Sequence, residues 1–384
     1  MSRLPLFPVT MVGSWPRPAE LLRAQKAKRA GKLSAAEFDR LADAAVLEVL
    51  RLQDEAGVDV VTDGEQRRDN FYSFAADKLS GVKLMTLAEM LDIIEDKAGF
   101  EQILKTLDVP AYSLSNPTCV GRIERKAPLA LDELRFLRRH TSKPVKIPLP
   151  GPYLLTRAMF VKEASRPTYA SKEELSVDVV RVLRAEMADL VRDGADFIQF
   201  DEPVLTEVVF SGGKTRTFMC ASLAAGGDPK VELEFAVTLM NQVLEGFEQV
   251  QTGLHICRGN WSQDESTLLR GNYAPLKPWL ERLKVKQLVL EYATERAGDV
   301  MRFEGKQLGL GCVNPRTPRV ESEEEILAQA QRALEHYEPG QIWLNPDCGF
   351  GTFSNSPVNS GNVAAAKMKA LAGAARRLRQ RHQA

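Results

Sequence analysis

The stretch Ser171–Pro203, SKEELSVDVVRVLRAEMADLVRDGADFIQFDEP, holds one complete helix-to-strand unit. A serine followed by acids opens a helix, apolar residues recur at helical spacing behind it, and Gly194 closes the pattern. The short apolar run that follows ends in two acids and a proline, the mark of a buried strand leading into a turn. The same alternation recurs in both directions. Strand ends are read at VTMVGSWP (9–16), VDVVTDGE (58–65), VKIPLPGP (145–152), FIQFDEP (197–203), GLHICRGN (253–260), LVLEYA (288–293), QLGLGCVNP (307–315) and IWLNPDCGFG (342–351). Amphipathic segments such as those at 34–57, 231–249 and 322–337 lie between them. Eight alternating βα units predict an α/β fold, a TIM (βα)8 barrel.

Residues from about 75 to 145 exceed one βα unit: 83–108 reads as helical and SNPTCVGRIERKAP (115–128) as an extra strand. This is an insertion between the second and third barrel strands, inside a single catalytic domain spanning 1–384. An open doubly wound sheet is the alternative, but it calls for a glycine-rich phosphate loop after its first strand. Gly309–Gly311 lacks the third glycine and the helix that would follow. The chain has no P-loop, internal repeat or low-complexity tract.

With 51 basic and 51 acidic residues the formal net charge is zero, which gives no footprint for nucleic acid or an acidic membrane surface. The basic end AARRLRQRHQA suits the C-terminal dipole of a last helix. No stretch approaches the roughly 18 apolar residues of a membrane span, and the start has no export-signal pattern. Five scattered cysteines, Cys119, Cys220, Cys257, Cys312 and Cys348, do not resemble a secreted disulfide framework. A reducing, cytoplasmic setting is the expectation.

Polar residues at the C-terminal ends of barrel strands face one cavity. Here they are Ser14, Asp63 with Glu65, Asp201 with Glu202, His255 with Cys257, Glu291, Asn314, and Asp347 with Cys348. A single such acid serves commonly as a helix cap, and an H-x-C pair in a strand packs commonly as ordinary core. Strand alternation, however, turns His255 and Cys257 to one side. Together with Glu291 and Cys348 they offer one nitrogen, two sulfurs and one oxygen, a donor set suited to four-coordinate Zn²⁺ and unsuited to magnesium. Donors spread over strand ends and opening into a cavity favour a catalytic over a structural ion.

The stretches VGSWPRP, DGEQRRD, LPGP, IQFDEP, LHICRGN, LVLEYA, GLGCVNPRTPR and IWLNPDCGFGT, in this order, resemble the catalytic C-terminal barrel of the cobalamin-independent methionine synthases. The duplicated N-terminal barrel of the long enzymes is absent, so the chain resembles their short, single-barrel form. The resemblance implies that His255, Cys257, Glu291 and Cys348 bind zinc, which holds the homocysteine thiol as a thiolate for attack on a methyl group. It also implies that Gly13 and Ser14 hold the amino-acid carboxylate. Asp201, the acid assigned to the reaction centre, pairs with the ammonium.

Three positions depart from the long enzymes. Ser73 stands where they carry a second acid for the ammonium, leaving Glu65 as the substitute. Arg316 stands where they carry the histidine that protonates the folate leaving group, and Ala158 where a tryptophan stacks on the folate. Glu207 does match a folate-contacting position. Methyltetrahydrofolate needs a proton at its departing nitrogen, and arginine is a poor acid near neutral pH. A methyl-corrinoid donor, methylcobalamin alone or on a corrinoid protein, needs none. The competing readings are a related zinc transferase acting on another thiol, such as an epoxyalkane:coenzyme M transferase, and a non-catalytic zinc barrel. Asp201 speaks against the former, because coenzyme M has no ammonium.

Overall fold

Local signals set the element boundaries in the computed structural model, which describes residues 4–93, 115–210, 228–260, 263, 269–354 and 357–382. Helix Ala35–Ala56 starts where Ser34 accepts the Glu37 N–H and the Glu37 carboxylate returns to the Ser34 N–H. It stops at Gly57, whose φ of 85° would strain a residue with a Cβ. Ser322 builds the same capping box for Glu323–Leu334, and Ser171 caps Lys172–Arg192. The last helix buries Leu175, Val179, Leu183, Met187 and Leu190, one stripe at helical spacing.

An antiparallel hairpin, β1 (Leu79–Thr86) and β2 (Ser115–Arg125), precedes the main sheet. The extra strand expected at 115–128 is therefore present. The helix expected from 83 is displaced, since Lys83–Thr86 pair with β2 and the helix runs Leu87–Ile93. The β-branched and apolar residues there satisfy their backbone across the hairpin before the chain can coil. Residues 94–108 of that expectation lie outside the described residues.

Six strands then pair in parallel in chain order: β3 (Lys146–Pro150), β4 (Phe197–Asp201), β5 (Gln251–Ile256), β6 (Gln287–Leu290), β7 (Gln307–Val313) and β8 (Ile342–Pro346). Single parallel bridges join Val9 to Leu344, Thr10 to Val60, and Val61 to Val145. The fold is thus α/β with a parallel sheet. All residues of β3, β4, β6 and β8 are buried, as expected where both faces are covered. Along β4 the face that starts apolar at Phe197, packed on Trp343 and Val60, turns polar at Gln199 and Asp201. The N-terminal end of the sheet is apolar on this face and its C-terminal end is chemical.

Arg68 ties the second extended segment to this sheet. Its guanidinium grips Glu133 through two bonds, 3.0 and 2.5 Å, donates to the Pro148 carbonyl at 3.0 Å, and lies over Phe74. Both partners are buried. Glu133→Gln is expected to remove the hydrogen-bonded counter-charge of a buried cation and to lower unfolding free energy by about 3–5 kcal/mol, read as a lower urea midpoint. A midpoint within error of the parent chain would show that the pair carries no such load. No helix among the described residues is long and apolar enough to cross a membrane.

Candidate active site

His255 is the second-last residue of β5 and Cys257 follows one residue past its end, while β8 delivers Cys348 two residues past its own end. The His255 ring and the two sulfurs lie within 4.8 Å of one another, all buried. His255 Nδ1 meets the Val289 carbonyl at 3.1 Å, which directs Nε2 toward the sulfurs, and Nε2 has no hydrogen-bond partner among the described residues. A ring held at one nitrogen with the other orphaned inside a cysteine pair is the arrangement of a metal-ligating imidazole. Hydrogen bonding from the Cys348 thiol and the His255 ring draws Cys257 below the usual thiol range, whereas the same bond and burial push Cys348 well above it. Burial works against a charged His255, but the Cys257 sulfur, Asp201 and Glu291 outweigh it and lift the ring to about 9.

Glu291, the fourth expected donor, is not part of that three-residue cluster. Its carboxylate takes the Arg258 backbone N–H at 2.9 Å, the Asn260 amide, and the Arg296 guanidinium at 2.9 Å. Burial opposes its charge, yet Arg296 and Arg258 hold it below the usual carboxylate range. Cys348 and Glu291 are linked by Asp347, whose Oδ1 accepts the N–H groups of Tyr292 and Ala293 at 2.9 Å each.

The cleft beside the cluster is lined by Ser14, Glu65, Asp201, His255, Cys257 and Cys348, with Phe71 and Asn260 at its walls. Ser14 Oγ accepts the Gly351 N–H at 3.3 Å, and a Cβ at Gly349 would stand 2.2 Å from that oxygen. A Cβ at Gly13 would lie 2.3 Å from Glu65 Oε1, so a side chain there would displace that carboxylate. Asp201 Oδ1 accepts from Gln199 at 2.8 Å, while Oδ2 has no hydrogen-bond partner among the described residues. Glu65 Oε2 is likewise orphaned. Burial pushes Glu65 up to about 7 and Asp201 up to about 6, the nearby cations acting the other way. Two buried acids short of donors in one cleft favour a cationic ligand.

Other expected residues sit apart from the cleft lining. Glu207 is buried on helix Val204–Phe210. Ser73 Oγ donates to Asp69 at 2.6 Å. Arg316 Nε donates to Asn260 Oδ1 at 3.1 Å, and Ala158 is wholly buried with its carbonyl bound by Asn116. Asn314 offers its N–H to Glu321. Cys119 and Cys312 are buried free thiols away from the cluster, and Cys220 lies outside the described residues. Sequence reasoning overlooked Asn260, which joins Glu291, Arg296 and Arg316, although it closes the LHICRGN motif. It also overlooked Lys146 and Gln199. Their signal was a lysine at the start of one wholly buried strand and a glutamine in the middle of another, where burial leaves no room to solvate them.

The family described as cobalamin-independent synthase, catalytic domain, matches residues 7–373. The chain belongs to this family. A methionine synthase of Sulfurisphaera tokodaii is 30% identical over 352 residues, covering 91% of this chain and 87% of that protein. Among solved structures, a B12-independent methionine synthase from Shewanella sp. W3-18-1 in complex with selenomethionine superposes with a TM-score of 0.72 at 23% identity, covering 98% of both chains. A putative vitamin-B12 independent methionine synthase from Listeria monocytogenes gives 0.70 at 20% identity, covering 98% of this chain and 99% of that one. At these identities the two structures speak to the fold. They share its α/β architecture.

Proposed function

We propose that the protein transfers a methyl group to the thiol of homocysteine, forming methionine, on a zinc ion held by His255, Cys257 and Cys348. The observation that carries this reading is the buried His–Cys–Cys cluster opening into the same cleft as Ser14, Glu65 and Asp201. The donors suit zinc: two sulfurs and one orphaned, oriented imidazole nitrogen. Glu291 is the fourth donor by family resemblance, reached at the expense of a bond to Asn260, Arg258 or Arg296. Zinc bound there supplies a Lewis acid that favours the thiolate form of a substrate thiol near neutral pH. The chain's own groups orient the rest of the substrate, with the Gly13–Ser14 turn facing the carboxylate and Asp201, aided by Glu65, facing the ammonium.

We read the six-stranded sheet as the larger part of a TIM (βα)8 barrel, closed through the bridges at Val9, Thr10, Val60 and Val61, with residues 75–145 inserted after its second strand. Shared membership with methionine synthases and the acid pair in the cleft favour an amino-acid thiol over coenzyme M. The deciding assay is methyl transfer to homocysteine from a panel of donors, with methionine as the readout. Absence of methionine with every donor, from a zinc-loaded chain, would overturn the proposal.

Asp201→Asn is expected to weaken homocysteine binding by about 1.5–3 kcal/mol and leave zinc in place, because it removes a hydrogen bond to a charged group. Calorimetric titration with homocysteine and with the same thiol lacking its amino group checks this. Equal losses for both would mean that Asp201 does not read the ammonium.

A further inference from the structure

Lys146 is fully buried in β3, and among the described residues no carboxylate lies within ion-pair distance of it. Its Nζ donates to the Met11 carbonyl and to Gln199 Oε1 at 3.1 Å, above the Phe197 ring. Packing alone gives no reason for an amine here, since burying one is costly and a methionine would fill the space. Its consequence appears at Gln199. A side-chain amide has one accepting and one donating end, and a donor-only group on one side forces the oxygen toward it. The –NH2 end is thereby turned the other way, where it donates to the Val12 carbonyl at 3.1 Å and to Asp201 Oδ1 at 2.8 Å.

This chain touches both ends of the proposed amino-acid site at once. Met11 and Val12 run directly into Gly13 and Ser14, and the far end of the chain is Asp201. We infer that Lys146, acting through Gln199, is a positioning residue that fixes the spacing between the carboxylate-binding and ammonium-binding ends of the cleft and so sets its selectivity for an α-amino-acid thiol. Without the lysine, the buried Gln199 oxygen loses its donor and the amide is no longer held at that end, so Asp201 loses the fixed position of the one side-chain anchor it has among the described residues. The inference rests on the reading of Asp201 as the ammonium partner.

Lys146→Met tests it in the full-length, zinc-loaded chain. Expected are unchanged zinc content, a urea midpoint equal to or above that of the parent, and homocysteine affinity lower by about tenfold or more. Affinity for 4-mercaptobutanoate, which keeps the carboxylate and lacks the amino group, should not change. Gln199→Leu should produce the same loss of preference, and it carries the test if Lys146→Met does not fold. Equal weakening for both thiols would make Lys146 a structural residue and overturn the inference. The two readings fail separately. If Asp201→Asn leaves the preference intact, the ammonium reading falls and this one with it. If Asp201→Asn abolishes the preference but Lys146→Met and Gln199→Leu retain it, only the present inference falls.

Discussion

A Cys257→Ser, Cys348→Ser variant is expected to lose bound zinc and, with it, methylation of homocysteine. Removing groups that merely orient metal ligands typically costs about 10–100-fold in affinity, so deleting both sulfurs should cost more than about 100-fold. The fold itself should persist, because the cysteines sit at strand ends above a large apolar core. Metal analysis and X-ray absorption read the outcome: about one zinc per chain through two sulfurs in the parent, and none retained by the variant after dialysis. Full occupancy in the double variant would falsify the site. A single Glu291→Gln change should act more gently, since Glu291 is already committed to Arg258, Asn260 and Arg296.

Methylcobalamin should support turnover where free methyltetrahydrofolate supports little. A missing general acid typically costs about 10²–10⁴-fold, enough to hide folate-dependent methionine formation. The structure sharpens the argument. Arg316 is drawn toward Asn260, and Ala158 is buried under the hairpin strand that carries Asn116. Glu321, an acid that could replace a histidine, has one oxygen on the Asn314 N–H and the other on Lys367 at 2.7 Å. Glu207 argues the other way, being an acid at a position the folate enzymes share. Turnover on both donors should be compared in the parent and in Arg316→His. Robust folate-dependent turnover by the parent, insensitive to changes at Arg316, would refute the corrinoid reading and return the chain to the folate users.

Much of this molecule was legible before any coordinate. Parallel strands separated by amphipathic helices follow from hydrophobic periodicity and from serine and glycine punctuation, which are local properties. The pairing of His255 with Cys257 on one side follows from the two-residue repeat of a strand, and the structure holds them in one cluster. What periodicity could not supply was distance between residues far apart in the chain. That Cys348 joins His255 while Glu291 is captured by Arg258, Asn260 and Arg296 depends on how strand ends converge. The start of the helix after Thr86 was misread for a related reason. Lys83–Thr86 have a helical pattern in isolation, and only pairing with β2 makes them strand.

Lys146 and Gln199 mark the limit most clearly. In the sequence each is a polar residue in an apolar run, with nothing to say what it touches. Their meaning lies in a hydrogen-bond chain from Met11 through 146 and 199 to 201, built from three segments that only the sheet brings together. Element type and facing are written residue by residue, because backbone sterics and water act locally. Which donor meets which acceptor in the buried interior, and which is left for a ligand, is decided by the tertiary fold, since a buried polar group can pair only with what the packing has placed beside it.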